Sequence, residues 1–457
     1  MSAPASSGCW FNVRDYGARG DDSPVETAAL QRALDACGAA GGGTVFVPPG
    51  VYRTGALRLH CHLTLHLEAG AVLAGSGDRA DYPAHGPRLN SGTGLAPLIG
   101  GENLVGISLR GGGVIDGRGA PWWREFLAWR DEHERHQRPG DPAREPAAAP
   151  ARPRLVSFER CRDVRVEGLT LRDAPAWTLH FLGCEFVRVD GLRVLSACGH
   201  PTGPSVNTDG INPESCRHVW ITRCYVAVGD DNITLKAGSE HHSLGPCENV
   251  VISDCVTGHG HGGVVIGSEM SGGVRNVAVT NCVFQRTYRG IRVKSRRGRG
   301  GVVENLLVQN VVMEDVPYPF FFDKFYFDLA PAGRPPVGPG TPAFRGFSFS
   351  HITATGAEKA LHLVGLPEQP IADVRFDRVD IASRRGAFCR DARDIDLGGL
   401  ALRLGEGEPV HTERVSDLRL PAGWVAQEGR VDDLRGQYQE REVEARLWRE
   451  RAAPPFP

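Results

Sequence analysis

The chain has 457 residues, 52 basic and 54 acidic side chains, and a formal net charge of −2. This balance gives no electrostatic reason to expect binding to nucleic acid or to an anionic membrane surface, and no apolar run is long enough to span a bilayer. The 58 glycines are typical of a fold with many tight turns.

The N-terminal segment MSAPASSGCWFNVRDYGARGDD lacks the basic region and apolar stretch of a signal peptide. It predicts a cytoplasmic protein, with a secreted or periplasmic location as the alternative if a leader precedes this sequence. The pattern then predicts a helix from about Thr27 to Cys37, a glycine turn and a strand. Such a helix would close the open end of a solenoid. We therefore assign residues 1–100 to an N-terminal cap and the first coils.

Short apolar strands recur from residue 163 onward, each near a turn. Examples are DVRVEGLTL (163–171), FVRVDGLRV (186–194), HVWITRCYV (218–226), NVVISDCV (249–256) and NVAVTNCVF (276–284). The period of roughly 23 to 32 residues is in the range of solenoid repeats, and no long amphipathic helix separates the copies. Several strands per period predict an all-β fold, a right-handed parallel β-helix, over residues 101–425.

Cysteines occupy equivalent positions in successive repeats. One set lies three residues before a strand valine, and a second set occupies another repeated position. The first set is Cys161, Cys184, Cys216 and Cys247; the second is Cys224, Cys255 and Cys282. Disulfides or a metal are the functional interpretation, but no pair has zinc-site spacing. We expect two internal ladders of buried free thiols.

Two segments depart from the repeat. Residues 124–154 are charged and proline-rich without a strand pattern, which predicts an inserted loop. Residues 426–457 are highly charged, which predicts a helical C-terminal tail.

Two adjacent aspartates, Asp230 and Asp231, interrupt the strand VAVGDDNITLKAG (226–238), and Asp209 of NTDGI lies about one coil earlier. If these carboxylates cluster, they cannot all be comfortably ionised, so one is expected to hold a proton near neutrality. That is the requirement for a general acid next to a general base, as in glycoside hydrolysis.

The next two coils bring basic side chains. GHGHGGVVIGSEMSGG (258–273) contains His259 and His261, and RGIRVKS (289–295) contains Arg292 and Lys294. Because arginine grips a carboxylate bidentately and lysine offers a compact charge, the pair fits an anionic substrate such as a uronic acid. The other candidates for substrate binding are Asn207, Lys236 and His259.

These motifs, together with FNVRDYGARGDD, GGGTVFVPPGVYRTG, GAVLAGS and GGGVIDGRG, resemble the polygalacturonase-like glycoside hydrolases of family 28. The resemblance covers nearly the whole chain. Members of that family are right-handed parallel β-helices that cleave pectin-type α-linked uronides with inversion and without a metal or cofactor. The resemblance therefore implies an inverting hydrolase of α-linked galacturonides. GSEMSGG is similar to the bacterial exo-acting members.

The resemblance also implies catalytic roles. Asp230 corresponds to the general acid, and Asp209 and Asp231 correspond to the residues that hold the attacking water. The family histidine best matches His261, with His259 as the alternative. Asn232 departs from the family, which usually has cysteine at that position.

For substrate binding, the Arg-x-Lys motif of the family matches Arg292 and Lys294. The tyrosine that follows it in the family corresponds to Tyr326, with Tyr318 as the alternative.

Three other functions remain open at the level of sequence. A β-helix polysaccharide lyase would use calcium carboxylates and an arginine or lysine base. A hydrolase of rhamnogalacturonan or another decorated uronide would keep the same catalytic motifs. A non-catalytic carbohydrate-binding β-helix would not need carboxylates of divergent pKa. The expected partner is in each case a carbohydrate.

Overall fold

The computed structural model describes residues 9–86, 94–136, 148–196, 205–239, 243–326 and 333–429. The chain forms two compact units. One contains the described residues up to Ile211 together with Val228–Asp230, and the other contains Asn212–Ala227 and the described residues from Asp231 onward.

The strands that precede residue 196 are short. They are β1 (Trp10–Asn12), β2 (Gly43–Val47), β3 (Gly50–Thr54), β4 (Leu57–Arg58), β5 (Leu63–Leu67), β6 (Ala71–Gly75), β7 (Ile99–Glu102), β8 (Val105–Gly111), β9 (Val114–Asp116), β10 (Val156–Glu159), β11 (Arg162–Glu167), β12 (Thr170–Arg172), β13 (Leu179–Leu182), β14 (Glu185–Asp190) and β15 (Arg193–Leu195).

From Ile211 onward the strands include the longest of the chain, Ala343–Val364 and Ile371–Asp396, with 22 and 26 residues. They are β16 (Ile211–Glu214), β17 (Arg217–Thr222), β18 (Tyr225–Ala227), β19 (Asp231–Leu235), β20 (Cys247–Ser253), β21 (Val256–Thr257), β22 (Gly262–Gly267), β23 (Val274–Gln285), β24 (Arg289–Lys294), β25 (Val302–Glu314), β26 (Tyr318–Asp323), β27 (Ala343–Val364), β28 (Ile371–Asp396), β29 (Leu400–Leu404), β30 (Val410–Arg419) and β31 (Ala426–Glu428).

Helices are few in the described part of the chain. They are α1 (Thr27–Ala39), α2 (Ala120–His136) and two 3-10 turns at Val13–Tyr16 and Arg79–Asp81. Neither α1 nor α2 has the length and apolar character needed to cross a membrane.

In the first unit the strands stack in three parallel ladders, one for each side of a repeating coil. The ladders are β2–β5–β8–β11–β14, β3–β6–β9–β12–β15 and β4–β7–β10–β13. The second unit repeats this arrangement, with β17–β20–β23–β25–β27 on one side and β19–β22–β24–β26–β27 on another. The predicted fold class, an all-β right-handed parallel β-helix with a short N-terminal helix, is confirmed.

Parallel register places equivalent side chains above one another. Val250 pairs with Val277, which pairs with Leu306, and all three are buried. At the adjoining corner, Asn249, Asn276 and Asn305 have φ of 57°, 56° and 55°. Asparagine tolerates this left-handed conformation better than most residues. The Asn276 amide donates to Asn249 at 3.0 Å and that of Asn305 to Asn276 at 3.1 Å.

Predicted neighbours in the cysteine ladders contact each other within each unit: Cys161 and Cys184 in the first, and Cys216 with Cys247 and Cys224 with Cys255 and Cys282 in the second. Every cysteine among the described residues is a free thiol. The backbone N–H of Cys161 donates to the sulfur of Cys184 at 3.4 Å. In the second unit, the thiol contact with Cys224 and burial raise the pKa of Cys255 to about 12. These thiols fill the solenoid interior and are poor nucleophiles there.

Helix α1 extends the predicted helix by two residues. Its buried face packs against β1, β2 and β4, and consists of Ala29, Leu30, Ala33, Leu34 and Cys37.

The prediction of an inserted loop over 124–154 is wrong in its first part, because α2 extends to His136. Trp122 and Phe126 are spaced by four residues and therefore lie on one helix face. Both are buried, as is Trp123, whose indole N–H donates to the carbonyl of Ala174 at 2.9 Å. Apolar anchoring thus makes this segment part of the first unit. Residues 137–147 lie outside the described residues.

The predicted C-terminal tail begins with a strand, β31, and its residues from 430 onward lie outside the described part. The proposed boundaries of the cap (1–100) and the catalytic domain (101–425) stay predictions.

A buried lysine lies inside the second unit. Lys324 is 0% exposed, and its ammonium donates to the carbonyl of Gln369 at 2.8 Å. Burial lowers the pKa of Lys324 to about 7, although Glu368 and Asp391 act in the opposite direction. The charged form is therefore held at a cost to folding.

We expect Lys324→Met to change how stability depends on pH. Above about pH 7 the unfolded chain binds more protons at this lysine than the folded protein does, so its contribution to stability rises with pH. The unfolding free energy of the wild type relative to the variant should rise by about 1.4 kcal/mol per pH unit above pH 7 and level off below it. Chemical denaturation of both proteins from pH 6 to 9 measures this difference, and a constant difference would contradict it.

Candidate active site

The ladder β19–β22–β24 carries the charged residues that form the second unit's part of the candidate site. Asp231 is the first residue of β19 and pairs with Gly262 at the start of β22. On β24, Arg292 is aligned with Val265 and Lys294 with Gly267. Because side chains alternate along a strand, Arg292 and Lys294 lie on the same face.

Asp231 lies between these two cations. One of its carboxylate oxygens is 2.7 Å from the Lys294 ammonium, and the other is 3.5 Å from the Arg292 guanidinium. All three side chains are less than 10% exposed. A buried carboxylate is tolerated when paired cations compensate its charge.

His261 is half-buried just before β22, and its carbonyl accepts from the Arg289 N–H at 3.2 Å. A ring nitrogen of His261 and a carboxylate oxygen of Asp231 lie within 4.8 Å of each other. His259 lies on the other side of Gly260, which is bridged to Thr287. His261 therefore lies near Asp231, and the choice between His261 and His259 stays a prediction.

The two candidate tyrosines have different surroundings. The ring centroid of Tyr326 is 5.2 Å from the Lys294 ammonium and 5.6 Å from the Arg292 guanidinium. Tyr318 is 6% exposed and packs edge-on against Tyr288. Tyr326 is thus the tyrosine next to the Arg-x-Lys pair.

Lys236 follows β19, and its ammonium is 3.2 Å from a carboxylate oxygen of Glu269. Arg299 approaches the other oxygen of Glu269 at 3.8 Å. Burial would raise the pKa of Glu269, but Lys236, Arg299 and Lys294 outweigh it and lower that pKa to about 2. Neither Glu269 nor Arg299 was predicted as a site residue from the sequence, although Glu269 stands in the GSEMSGG motif.

Asn232 is fully buried, and its amide donates to the Gly262 carbonyl at 3.1 Å. It therefore ties β19 to β22 at a position where the family usually has cysteine.

In the first unit, a hydrogen-bonded turn holds Asp209 and Asp230. The Thr208 hydroxyl donates to the carbonyl of Ser205 at 2.7 Å. The Thr208 hydroxyl oxygen also accepts a hydrogen bond from the Gly229 N–H at 3.1 Å. A Cβ on Gly229 would lie 2.2 Å from the Ser205 hydroxyl, so only glycine fits there. The residues that follow Thr208 and Gly229 are the two aspartates.

Arg152 also belongs to this part of the first unit and was missed by the sequence analysis. Its side chain is fully buried and donates to Asn207 Oδ1 at 2.8 Å and to the Val206 carbonyl at 2.9 Å. Burial lowers the pKa of Arg152 to about 9, whereas the charges of Asp230 and Asp209 act to raise it. Arg152 thus supplies positive charge to both aspartates and fixes Asn207.

The division into units falls within the paired aspartates, because Asp230 belongs to the first unit and Asp231 to the second. They are consecutive residues, so the two groups of side chains are joined covalently at that peptide bond.

A further group of potential metal ligands lies in the first unit. Ligand atoms of His85, Glu102 and Glu159 lie within 4.8 Å of one another. A hydrogen bond to Glu159 raises the pKa of His85, against the effect of burial. The two carboxylates thus favour the protonated form of His85.

The chain is similar to known proteins over most of its length. The model described as Glycosyl hydrolases family 28 matches residues 37–395. A "Probable polygalacturonase" of Vitis vinifera is 29% identical over 405 residues, which are 84% of this chain and 77% of that protein. An "Exo-poly-alpha-D-galacturonosidase" of Dickeya chrysanthemi is 27% identical over 413 residues, covering 80% of this chain and 66% of that protein.

Among solved structures, a hyperthermoactive exopolygalacturonase from Thermotoga maritima aligns with a TM-score of 0.70 and 27% identity, over 87% of this chain and 90% of that one. The family match spans the three motif aspartates, both histidines and the Arg-x-Lys pair. On this evidence the chain is a glycoside hydrolase and belongs to family 28 of the glycosyl hydrolases.

Proposed function

We propose that the protein hydrolyses α-linked galacturonic acid chains of the pectin type by an inverting mechanism, from the chain end. The observation that carries this proposal is the buried Asp231 held between Arg292 and Lys294. It combines a catalytic carboxylate with two cations suited to a uronate. The names of the two relatives and of the aligned structure support galacturonan as the substrate class.

In the proposed reaction, Asp230 donates a proton to the glycosidic oxygen as the bond from C1 to that oxygen breaks. A water molecule attacks C1 from the opposite face and passes a proton to the carboxylate of Asp209 or Asp231. One water is consumed, and one hemiacetal and one hydroxyl are formed. Separate acid and base carboxylates on either side of the sugar are the requirement for inversion.

The contacts of Asp231 suggest how substrate binding prepares the base. Lys294 donates to Asp231 at 2.7 Å, and a substrate carboxylate would compete for the same ammonium. Lys294 and Arg292 would then turn towards the uronate, and the Asp231 oxygen would be available to accept from water. Tyr326, next to both cations, would pack against the bound sugar.

Action at a chain end is supported by α2 and the segment that follows it. Helix α2 is anchored by Trp122 and Trp123, and Arg79 bonds Glu125 on it at 2.8 Å. Arg152, at the end of the insertion, contacts Asn207, two residues before Asp209. A helix and an arginine held close to a catalytic motif are suited to closing one end of a binding groove.

Two related activities are distinguished by their products. A lyase would create a double bond that absorbs in the ultraviolet, which hydrolysis does not. A rhamnogalacturonan hydrolase would act on alternating rhamnose–uronate oligomers and leave homogalacturonan oligomers intact. Digestion of defined oligouronides with both readouts tests the proposed substrate class.

We expect Asp230→Asn to reduce the rate of galacturonide hydrolysis by about 10²-fold or more, because the amide cannot donate the catalytic proton. Release of reducing ends measures the rate. Asp254→Asn is the matched control, since Asp254 is exposed at a coil corner with φ of 56°, which asparagine also adopts. A folded Asp230→Asn protein with the activity of this control would contradict the assignment.

Inversion is expected to give the β-anomer as the first product from an α-linked substrate. Proton NMR of the reaction in its first minutes, before mutarotation, identifies the anomer. If the α-anomer appears first, the mechanism is retaining and the roles of Asp209 and Asp231 are wrong.

We expect the viscosity of polygalacturonate to fall slowly compared with the release of reducing sugar, because cleavage at chain ends shortens the polymer little per bond. Capillary viscometry and a reducing-end assay on the same digest give both values. A steep fall in viscosity within the first few per cent of bonds cut would indicate mid-chain cleavage.

A further inference from the structure

Lys236, Gly267 and Lys294 lie at the C-terminal ends of three neighbouring strands of the second unit: Lys236 follows β19, and Gly267 and Lys294 are the last residues of β22 and β24. Leu235 pairs with Ile266, and one residue further along these strands are Lys236 and Gly267. Gly267 in turn pairs with Lys294. A Cβ on Gly267 would lie 2.2 Å from the Lys294 carbonyl, so the position between the two lysines carries no side chain.

The two lysines have the same kind of environment. Lys294 shares Asp231 with Arg292, and Lys236 shares Glu269 with Arg299. Each carboxylate is thus held by one lysine and one arginine, and all four cationic side chains are less than 10% exposed. The Glu269 cluster consists of Glu269, Lys236 and Arg299.

The ion-pair distances in the Glu269 cluster differ from those around Asp231. Lys294 is 2.7 Å from Asp231, the length of a strong charge-assisted bond. In the Glu269 cluster the distances are 3.2 Å for Lys236 and 3.8 Å for Arg299. These longer contacts are weaker and are more easily exchanged for a ligand carboxylate.

A galacturonide chain carries a carboxylate on every sugar. If one carboxylate engages Arg292 and Lys294, the next along the chain needs a second cationic position within reach. Parallel strands are about 4.8 Å apart, so Lys236 and Lys294 are separated by about 10 Å along the ladder. Flexible lysine stems reach into such a gap from both sides, and Gly267 places no side chain between them.

We propose that Lys236 and Arg299 bind the carboxylate of a second, neighbouring uronate and that this carboxylate takes the place of Glu269 between them. The inference rests on the proposed function for its substrate class. It assigns to the enzyme recognition of two consecutive uronates rather than one. Glu269 holds the two cations in position while no substrate is bound.

The test uses binding, so that it does not depend on turnover. Trigalacturonate is titrated calorimetrically into the Asp230→Asn protein and into the same protein with Lys236→Met or Arg299→Gln added. Each added substitution removes a charged partner and is expected to weaken binding about 10-fold or more. Control substitutions at Lys359 (Lys359→Met) and Arg345 (Arg345→Gln), the latter an exposed partner of Glu304, are expected to leave affinity unchanged.

Esterified ligands identify which carboxylate is bound. Three trigalacturonates, each with a single methyl ester at a different sugar, are compared with the free acid. The ester on the sugar that Lys236 and Arg299 bind should weaken binding to the Asp230→Asn protein. When Lys236→Met is added, this one ester should no longer weaken binding, whereas the effects of the other two esters should remain. Such coupling between variant and ligand is not expected of a merely structural residue. Equal sensitivity to every ester with and without Lys236→Met would overturn the proposal.

Glu269→Gln provides a test in the opposite direction. It keeps the shape of the side chain and removes the internal anion, so trigalacturonate should bind more tightly. Weaker binding by a folded Glu269→Gln protein would contradict the proposal that a substrate carboxylate replaces Glu269 between Lys236 and Arg299. Hydrolysis by the wild type is measured separately, so failure of the galacturonan assignment is distinguishable from failure of the second uronate site.

Discussion

Parallel hydrogen bonding between consecutive coils is the constraint on which the rest of the structure depends. It fixes the neighbours of each strand residue as the equivalent residues one coil before and one coil after, as for Val250, Val277 and Leu306. Rows of like residues follow. Valine and cysteine rows fill the interior, and the asparagine row at the corner satisfies its own amides. A charged side chain that is buried in such a row needs a partner of opposite charge or a hydrogen bond close to it.

Buried charged residues are the main exception to these apolar rows, and several of them lie in the candidate active site. Asp231 and Glu269 are each compensated by a lysine and an arginine from neighbouring strands or turns. Arg152 is compensated differently, by backbone carbonyls and Asn207, with the aspartates near it. A fold that otherwise repeats apolar rows accepts these buried charges because the site needs them held in fixed positions.

Much of this arrangement is predictable from the sequence because repeats align equivalent residues. The spacing of Asp231, His261 and Arg292 by about one coil each was sufficient to bring them to neighbouring strands. What escaped prediction depends on contacts between segments that do not repeat. Arg152 follows a charged, proline-rich segment, and its buried guanidinium lies 3.8 Å from the ring centroid of Phe126 on α2. Glu269 lies in a turn, where periodicity gives no direction to the side chain.

The cysteine rows affect what happens to the protein when it unfolds. Thiols that lie on adjacent coils, such as Cys161 and Cys184, are protected from oxidants only while the register holds. Once heat or denaturant opens the coils, many equivalent thiols become exposed together, and each has several possible partners. In the presence of an oxidant, mismatched disulfides then compete with refolding, which is slow for a parallel fold of high contact order. Denaturation of this protein is accordingly expected to be reversible under a reducing agent and irreversible without one.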